Sequence, residues 1–177
     1  TALPIWSSNL AVSTDGIVTW LPSADATGYQ ISIDGNNWTD ATSGINYLST
    51  ITSETGTRTV YVRAINSDTA NYEPSSNATQ TVTVYSVSLT KGTGISLVTG
   101  AGNYIGGATV TLGATVNTGY TWSEWAQTSG GAQVSTTNAY STTISGNWAY
   151  TANATAENYS ITYNLNGGIV GTANPTS

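Results

Sequence analysis

There is no cysteine, histidine, phenylalanine or methionine among these 177 residues, and only 7% are charged, against about 25% in an ordinary soluble domain. Without cysteine there can be no disulfide staple, thiolate nucleophile or thiolate metal site; without histidine there is no imidazole base and no ordinary zinc centre. The only side-chain cations are Arg58, Arg63 and Lys91, and the net charge is −6. A nucleic-acid reader needs clustered cations to displace counterions from phosphate, and docking on anionic lipid needs the same. Neither partner fits. No apolar run approaches the ~20 residues needed to span a bilayer, so direct membrane insertion is not expected.

What the chain does have is 38% apolar residues in alternating runs, with six Trp and eleven Tyr as its large side chains. These aromatics are rigid, and each carries one polar handle. Solubility must come from Thr, Ser, Asn and Gly. Low charge, no cysteine and abundant Thr and Asn point to an extracellular, cell-surface setting.

Turn signals recur through the first half: Asp15-Gly16, Asp34-Gly35, Ser43-Gly44, Thr55-Gly56 and Ser67-Asp68. Between them the apolar period is two, as at Val18/Trp20, Tyr29/Ile31/Ile33, Val60/Val62/Ala64 and Val82/Val84, which predicts short strands rather than helices. The rhythm resets at Tyr85. Tyr85, Val87 and Leu89 predict a strand into a Gly-rich stretch at 91–94. A Gly106-Gly107 turn and a run through Val110, Leu112, Ala114 and Val116 follow. An aromatic cluster at Tyr120, Trp122 and Trp125 comes next, then a last strand through Trp148, Tyr150 and Ala152. From Asn158 a fresh strand is expected, with Ile161, Tyr163 and Leu165 on one face before Asn166-Gly167-Gly168. The reading is all-β: tandem modules at 1–85 and 86–157, joined without a Pro- or Ser-rich linker, which predicts a stiff joint. Residues 158–177 are either the opening of a further unit or a donated strand. Trp20, Tyr29, Val62, Tyr120, Trp122 and Trp125 are the expected structural core.

Particular stretches carry family resemblances. Pro4, "IVTWLP" with Trp20, "GYQISIDG" with Tyr29 and "TVYVRAIN" resemble a fibronectin type III-like module of bacterial surface proteins. Arg58 stands where the family usually has tyrosine, so an Ig-like sandwich variant is the alternative. "GGATVTLGATVNTGYTWSEWA", anchored by Gly119, Tyr120 and Trp125, resembles a divergent internalin-type B repeat, with Trp122 where Phe is common. "NYSITYNLNGG" resembles the opening of a Listeria–Bacteroides-type repeat. These resemblances imply a β-rich, β-grasp-like second module and a secreted or wall-associated segment with no catalytic residue and no cofactor.

Candidate chemistry is sparse. Asp34 with Asp40, or Glu54 with Glu73, would be the carboxylate pairs of a glycosidase, but all four fall on predicted turns. Asp34, Asn36 and Asp40 are spaced faintly like a calcium loop; a plain hairpin turn is the simpler account, and no metal is assigned. Lys91 with Asn153, helped by Glu124 or Glu157, is a candidate intramolecular isopeptide pair. Trp6, Trp38 and Trp148 are the aromatics least explained by the alternating core, and are candidate contacts for a glycan or a protein. The expected function is a non-enzymatic structural or adhesive spacer. Its partners would be neighbouring modules or identical subunits, or host or environmental glycans or proteins. The alternatives are a filament subunit polymerising by strand addition, with 1–6 or the tail donated, and a carbohydrate-binding module.

Overall fold

The computed structural model describes Thr1, Leu3 and residues 8–169, so Trp6 lies outside the described residues. Its regular secondary structure is nearly all strand. In order these are β1 (Ala11–Val12), β2 (Ile17–Thr19), β3 (Gly28–Ser32), β4 (Thr39–Ala41) and β5 (Ile45–Asn46), then a one-turn helix α1 (Leu48–Ile51). There follow β6 (Gly56–Ile65), β7 (Ala78–Lys91), β8 (Ile95–Thr99), β9 (Gly102–Ile105), β10 (Thr109–Val116), β11 (Tyr120–Gln127), β12 (Gln133–Ser135), β13 (Tyr140–Thr143) and β14 (Trp148–Ala156).

In the first part, a sheet ordered β1-β2-β5 meets the strands β4-β3-β6-β7. Both layers feed one core: Val18 from β2, with Trp20 just beyond it, Ile31 from β3, Val60 and Val62 from β6, and Val84 from β7. Alternation is what makes this possible, because period-two apolar residues give each strand one dry face. Helix α1 exists to seat Ile51, which is fully buried in the same core. A single turn leaves too short a pattern to read from the sequence.

The second part repeats the two-layer plan. A sheet ordered β13-β10-β8 meets β12-β11-β14-β7, and the core between them holds Val87, Ile95, Val110, Leu112, Trp125, Ile144 and Ala152. No helix lies within the described residues of this part, so strands cover strands.

Two expectations change. The strands predicted to end at Val84 and to begin at Tyr85 are one strand, β7. Conversely, the strand expected from Asn158 is not formed. Residues 158–165 carry no strand, and Tyr159, Ile161, Tyr163 and Leu165 are all exposed. The Asn166-Gly167 turn is present, with φ of 43° and 92° and a bond from Gly168 N–H to Leu165 O of 2.7 Å. These are the left-handed angles of the two central residues of a hairpin turn. No described strand pairs with the segment before that turn.

Candidate functional site

The most constructed feature of the molecule is the joint. Residues 78–84 of β7 pair antiparallel with β6, and residues 87–91 pair in parallel with β14. β9 pairs antiparallel with residues 84–87. A strand residue has only two edges, and Val84 pairs with both Gly56 and Ile105 while Val87 pairs with both Trp148 and Gly102. β6 and β14 therefore follow one another along one edge of β7, and β9 lies on the other edge, spanning the seam like a splint. At the seam the Ser86 N–H has neither strand for a partner; it donates instead to Asn147 Oδ1 at 2.9 Å.

The face of β7 that is dry switches at this point. Val82 and Val84 pack on the first core, whereas Tyr85, Val87 and Leu89 pack on the second. Successive strand residues point to opposite faces, so the two cores lie on opposite sides of one wall. β9 does the same in two residues: Ile105 is buried in the first core, and Tyr104 packs on the second. Further ties cross the joint. Asn103 Nδ2 donates to Thr52 O at 2.9 Å, Gly106 N–H donates to Thr83 O at 2.7 Å, and the Thr14 methyl lies beside Gly107. Sequence reasoning missed Ile105 because it follows a module boundary and looks like an ordinary β-branched strand end.

The aromatics singled out by sequence are placed as follows. Trp20 is 6% exposed in the first core, with Tyr29 packed beside it at a ring separation of 5.4 Å; Val62 and Trp125 are fully buried. The Tyr29 hydroxyl accepts from Ser23 N–H at 2.7 Å, bracing the loop before β3. Trp125 Nε1–H donates to Asn138 O at 2.8 Å, and Trp122, at 5.4 Å from it, donates to Thr136 O. Tyr120, expected in the core, is instead half-buried outside the buried cluster, where its ring covers Gly94. Gly94 has φ of +78°, and a Cβ there would fall 2.3 Å from that ring.

Trp38 is half-buried on the outer face of β4-β3-β6. The Arg63 guanidinium sits 4.1 Å from its ring centroid and donates through Nε and Nη2 to Gln30 Oε1, while Gln30 Nε2 donates to Asp40. One ring face of Trp38 is thus covered by a cation. Trp148 stacks on Tyr150 at 5.7 Å with 19° between the planes, and both pack against the second core. Beside them Gln127, Ser129 and Asn147 complete a cavity of about 310 Å³. A larger cavity, about 490 Å³, lies at Trp20, Pro22, Tyr29 and Ser43.

Three of the four candidate acids, Asp34, Asp40 and Glu54, are committed locally, and Glu73 is exposed. Asp34 accepts from the backbone N–H of Asn36 and Asn37, each at 2.8 Å, and from the Asn37 amide and Ser32 hydroxyl. These donors, those of Asn37 first, hold its carboxyl well below the usual carboxylate range. Gly35 has φ of +75° as the turn requires, but the loop spans six residues rather than two. Glu54 pairs with Arg58 at 2.6 Å. No group of three acidic side chains comes together among the described residues. Lys91 is the register partner of Ala152, which places Asn153 on the opposite face of the sheet, and Lys91 Nζ donates to Ser96 O at 3.3 Å. The lysine–asparagine pair considered above does not assemble. Thr1 and Leu3 are bonded to the backbone of Asn71 and Glu73 in their own chain.

Residues 85–158 match the family model described as divergent InlB B-repeat domain. That span starts at the residue where β7 changes its dry face and ends just past β14. The repeat is a bacterial surface repeat, and it is non-catalytic as a family. No curated protein and no solved structure matches the chain. No helix among the described residues is long and apolar enough to cross a membrane.

Proposed function

We propose that this chain is a non-enzymatic, extracellular structural segment of a bacterial cell-surface protein, acting as a stalk or spacer between what lies on either side of it. The observation that carries this reading is the joint: one strand continues through both units and one splint closes the seam, an arrangement that fixes direction from one unit to the next. Asp34, Asp40, Glu54, Trp38 and Trp148, all candidates for a site, are engaged in capping, pairing and packing. The strand order β1-β2-β5 against β4-β3-β6-β7 supports a fibronectin type III-like or Ig-like sandwich for the first unit. Its partners on this reading are neighbouring modules of the same polypeptide.

The absence of native cysteine makes the test direct. Ala24 and Thr118, exposed on the two units, are replaced by cysteine and spin-labelled. A single narrow distance distribution is expected. A broad or two-peaked one rejects a spacer that transmits direction. Antibody against the chain should also label intact producing cells; labelling only after lysis rejects the surface placement.

A second reading has its own observation. The Trp148–Tyr150 stack with Gln127, Ser129 and Asn147 combines an aromatic surface with uncharged hydrogen-bonding groups, the chemistry that suits a neutral sugar. A glycan panel read by tryptophan fluorescence tests it, and a signal lost in Trp148→Ala assigns it.

A further inference from the structure

The exposed tail repeats the sequence of the shared wall. At an offset of 74 residues, Tyr85-Ser86-Val87-Ser88-Leu89 is matched by Tyr159-Ser160-Ile161-Thr162-Tyr163, and Gly94-Ile95 by Gly168-Ile169. The family match ends at residue 158, immediately before this recurrence. The two stretches have opposite environments: Val87 is 3% and Ile95 6% exposed, whereas Ile161 is 47% and Ile169 93% exposed. The change of dry face recurs too. Along β14 the inward residues are Trp148, Tyr150, Ala152 and Ala154, and the apolar positions then shift by one to Tyr159, Ile161, Tyr163 and Leu165. That is the shift seen in β7 between Val84 and Tyr85. The Asn166-Gly167 turn is already closed, at the place where Gly92–Gly94 turns the chain from β7 into β8.

We propose that Tyr159–Leu165 is the wall strand of a second joint, and that its occupant is the remainder of another repeat of the same kind in the same polypeptide. In that joint Tyr159, Ile161 and Tyr163 are buried by the following core as Tyr85, Val87 and Leu89 are by the second. The segment is not a strand here, and none of the described residues pairs with it, although its local pattern is that of one. The recurrence departs at Tyr163 and Leu165, which stand at the positions of Leu89 and Lys91, and at Asn158, which stands at the position of Val84, so the second joint lacks the apolar contact that Val84 makes with Ile105. The inference does not rest on the spacer reading, since an array of glycan-binding units would be jointed in the same way.

The test compares the 177-residue chain with an extended chain in which residues 1–168 are followed by residues 95–158, so that the tail becomes the first strand of a copied repeat. Amide hydrogen exchange is read at 160–164, with β6 and β11 as internal controls. In the extended chain these amides are expected to exchange about 100-fold more slowly than in the 177-residue chain, with both species monomeric. Ile161→Asp should abolish that gain and leave the 177-residue chain's midpoint unmoved. Free exchange at 160–164 in a monomeric extended chain overturns the proposal. So does slow exchange that appears only in concentration-dependent oligomers, which would make the tail a strand donated between molecules. Either result leaves the distance test of the spacer untouched.

Discussion

Ile105 stands directly opposite Val84 in the β7–β9 ladder, and both side chains are buried in the first core although Ile105 belongs to the repeat that follows. Removing its side chain should therefore wound the wrong unit. Ile105→Ala is expected to destabilise the first unit by about 2–5 kcal/mol, the usual range for a buried isoleucine. Hydrogen exchange should accelerate in β2, β3 and β6. Acceleration confined to 107–156 would show that Ile105 is no part of the first core.

Asn147 plugs the seam between β6 and β14 through its bond from Ser86 N–H. Asn147→Ala is expected to cost about 1 kcal/mol, since the site is solvent-accessible and water can replace part of the bond. Asn147→Asp keeps the acceptor and should restore most of the loss. Equal losses in both variants would mean that the bond is not what holds the seam.

Trp125 is fully buried, and its indole N–H reaches Asn138 O, while Asn138 in turn bridges both backbone groups of Ala114 through its side chain. Trp125→Phe removes one of the two donors to Asn138 O, leaving only Tyr140 N–H, and opens a gap beside it, so a loss of about 1–3 kcal/mol is expected in urea denaturation. A change below ~1 kcal/mol would show that β11 is not anchored there.

Asp34 sets the expected pH response. Its folded-state pKa lies below the ordinary value, so its contribution is present above about pH 4 and fades as pH falls further, towards the folded-state value. Asp34→Asn should melt lower than the parent at pH 7, with the gap closing as pH falls from 4 to 2. A gap independent of pH would mean that the loop does not need the charge.

Much of this was legible in the sequence for a simple reason. Period-two alternation between glycine turns leaves a strand no other way to bury Val60, Val62 and Ala64, or Val110 and Leu112. The joint was only half legible. A one-residue shift of the apolar phase, as at Val84 and Tyr85, has two physical causes: a break between strands, or one strand whose two faces are buried in turn. Periodicity is the same for both, and only the position of the second core distinguishes them. The tail errs the other way. Ile161, Tyr163 and Leu165 alternate as well as Val60 and Val62 do, but a strand needs a neighbour, and alternation does not supply one. Trp38 stood outside the alternating pattern because its partner, Arg63, is met across a sheet face, whereas Trp148 fell within the pattern and only its stack on Tyr150, along the same strand, was not legible.

The parallel pairing of β7 with β14 decides how the second unit would meet tension. The polypeptide enters it through the front of β7 and leaves past the end of β14, and the two strands are in register from Val87/Trp148 to Lys91/Ala152. A pull on the two ends slides these strands past each other instead of peeling them apart. All the bonds of that overlap must then yield together, so stretching meets its resistance in one abrupt step.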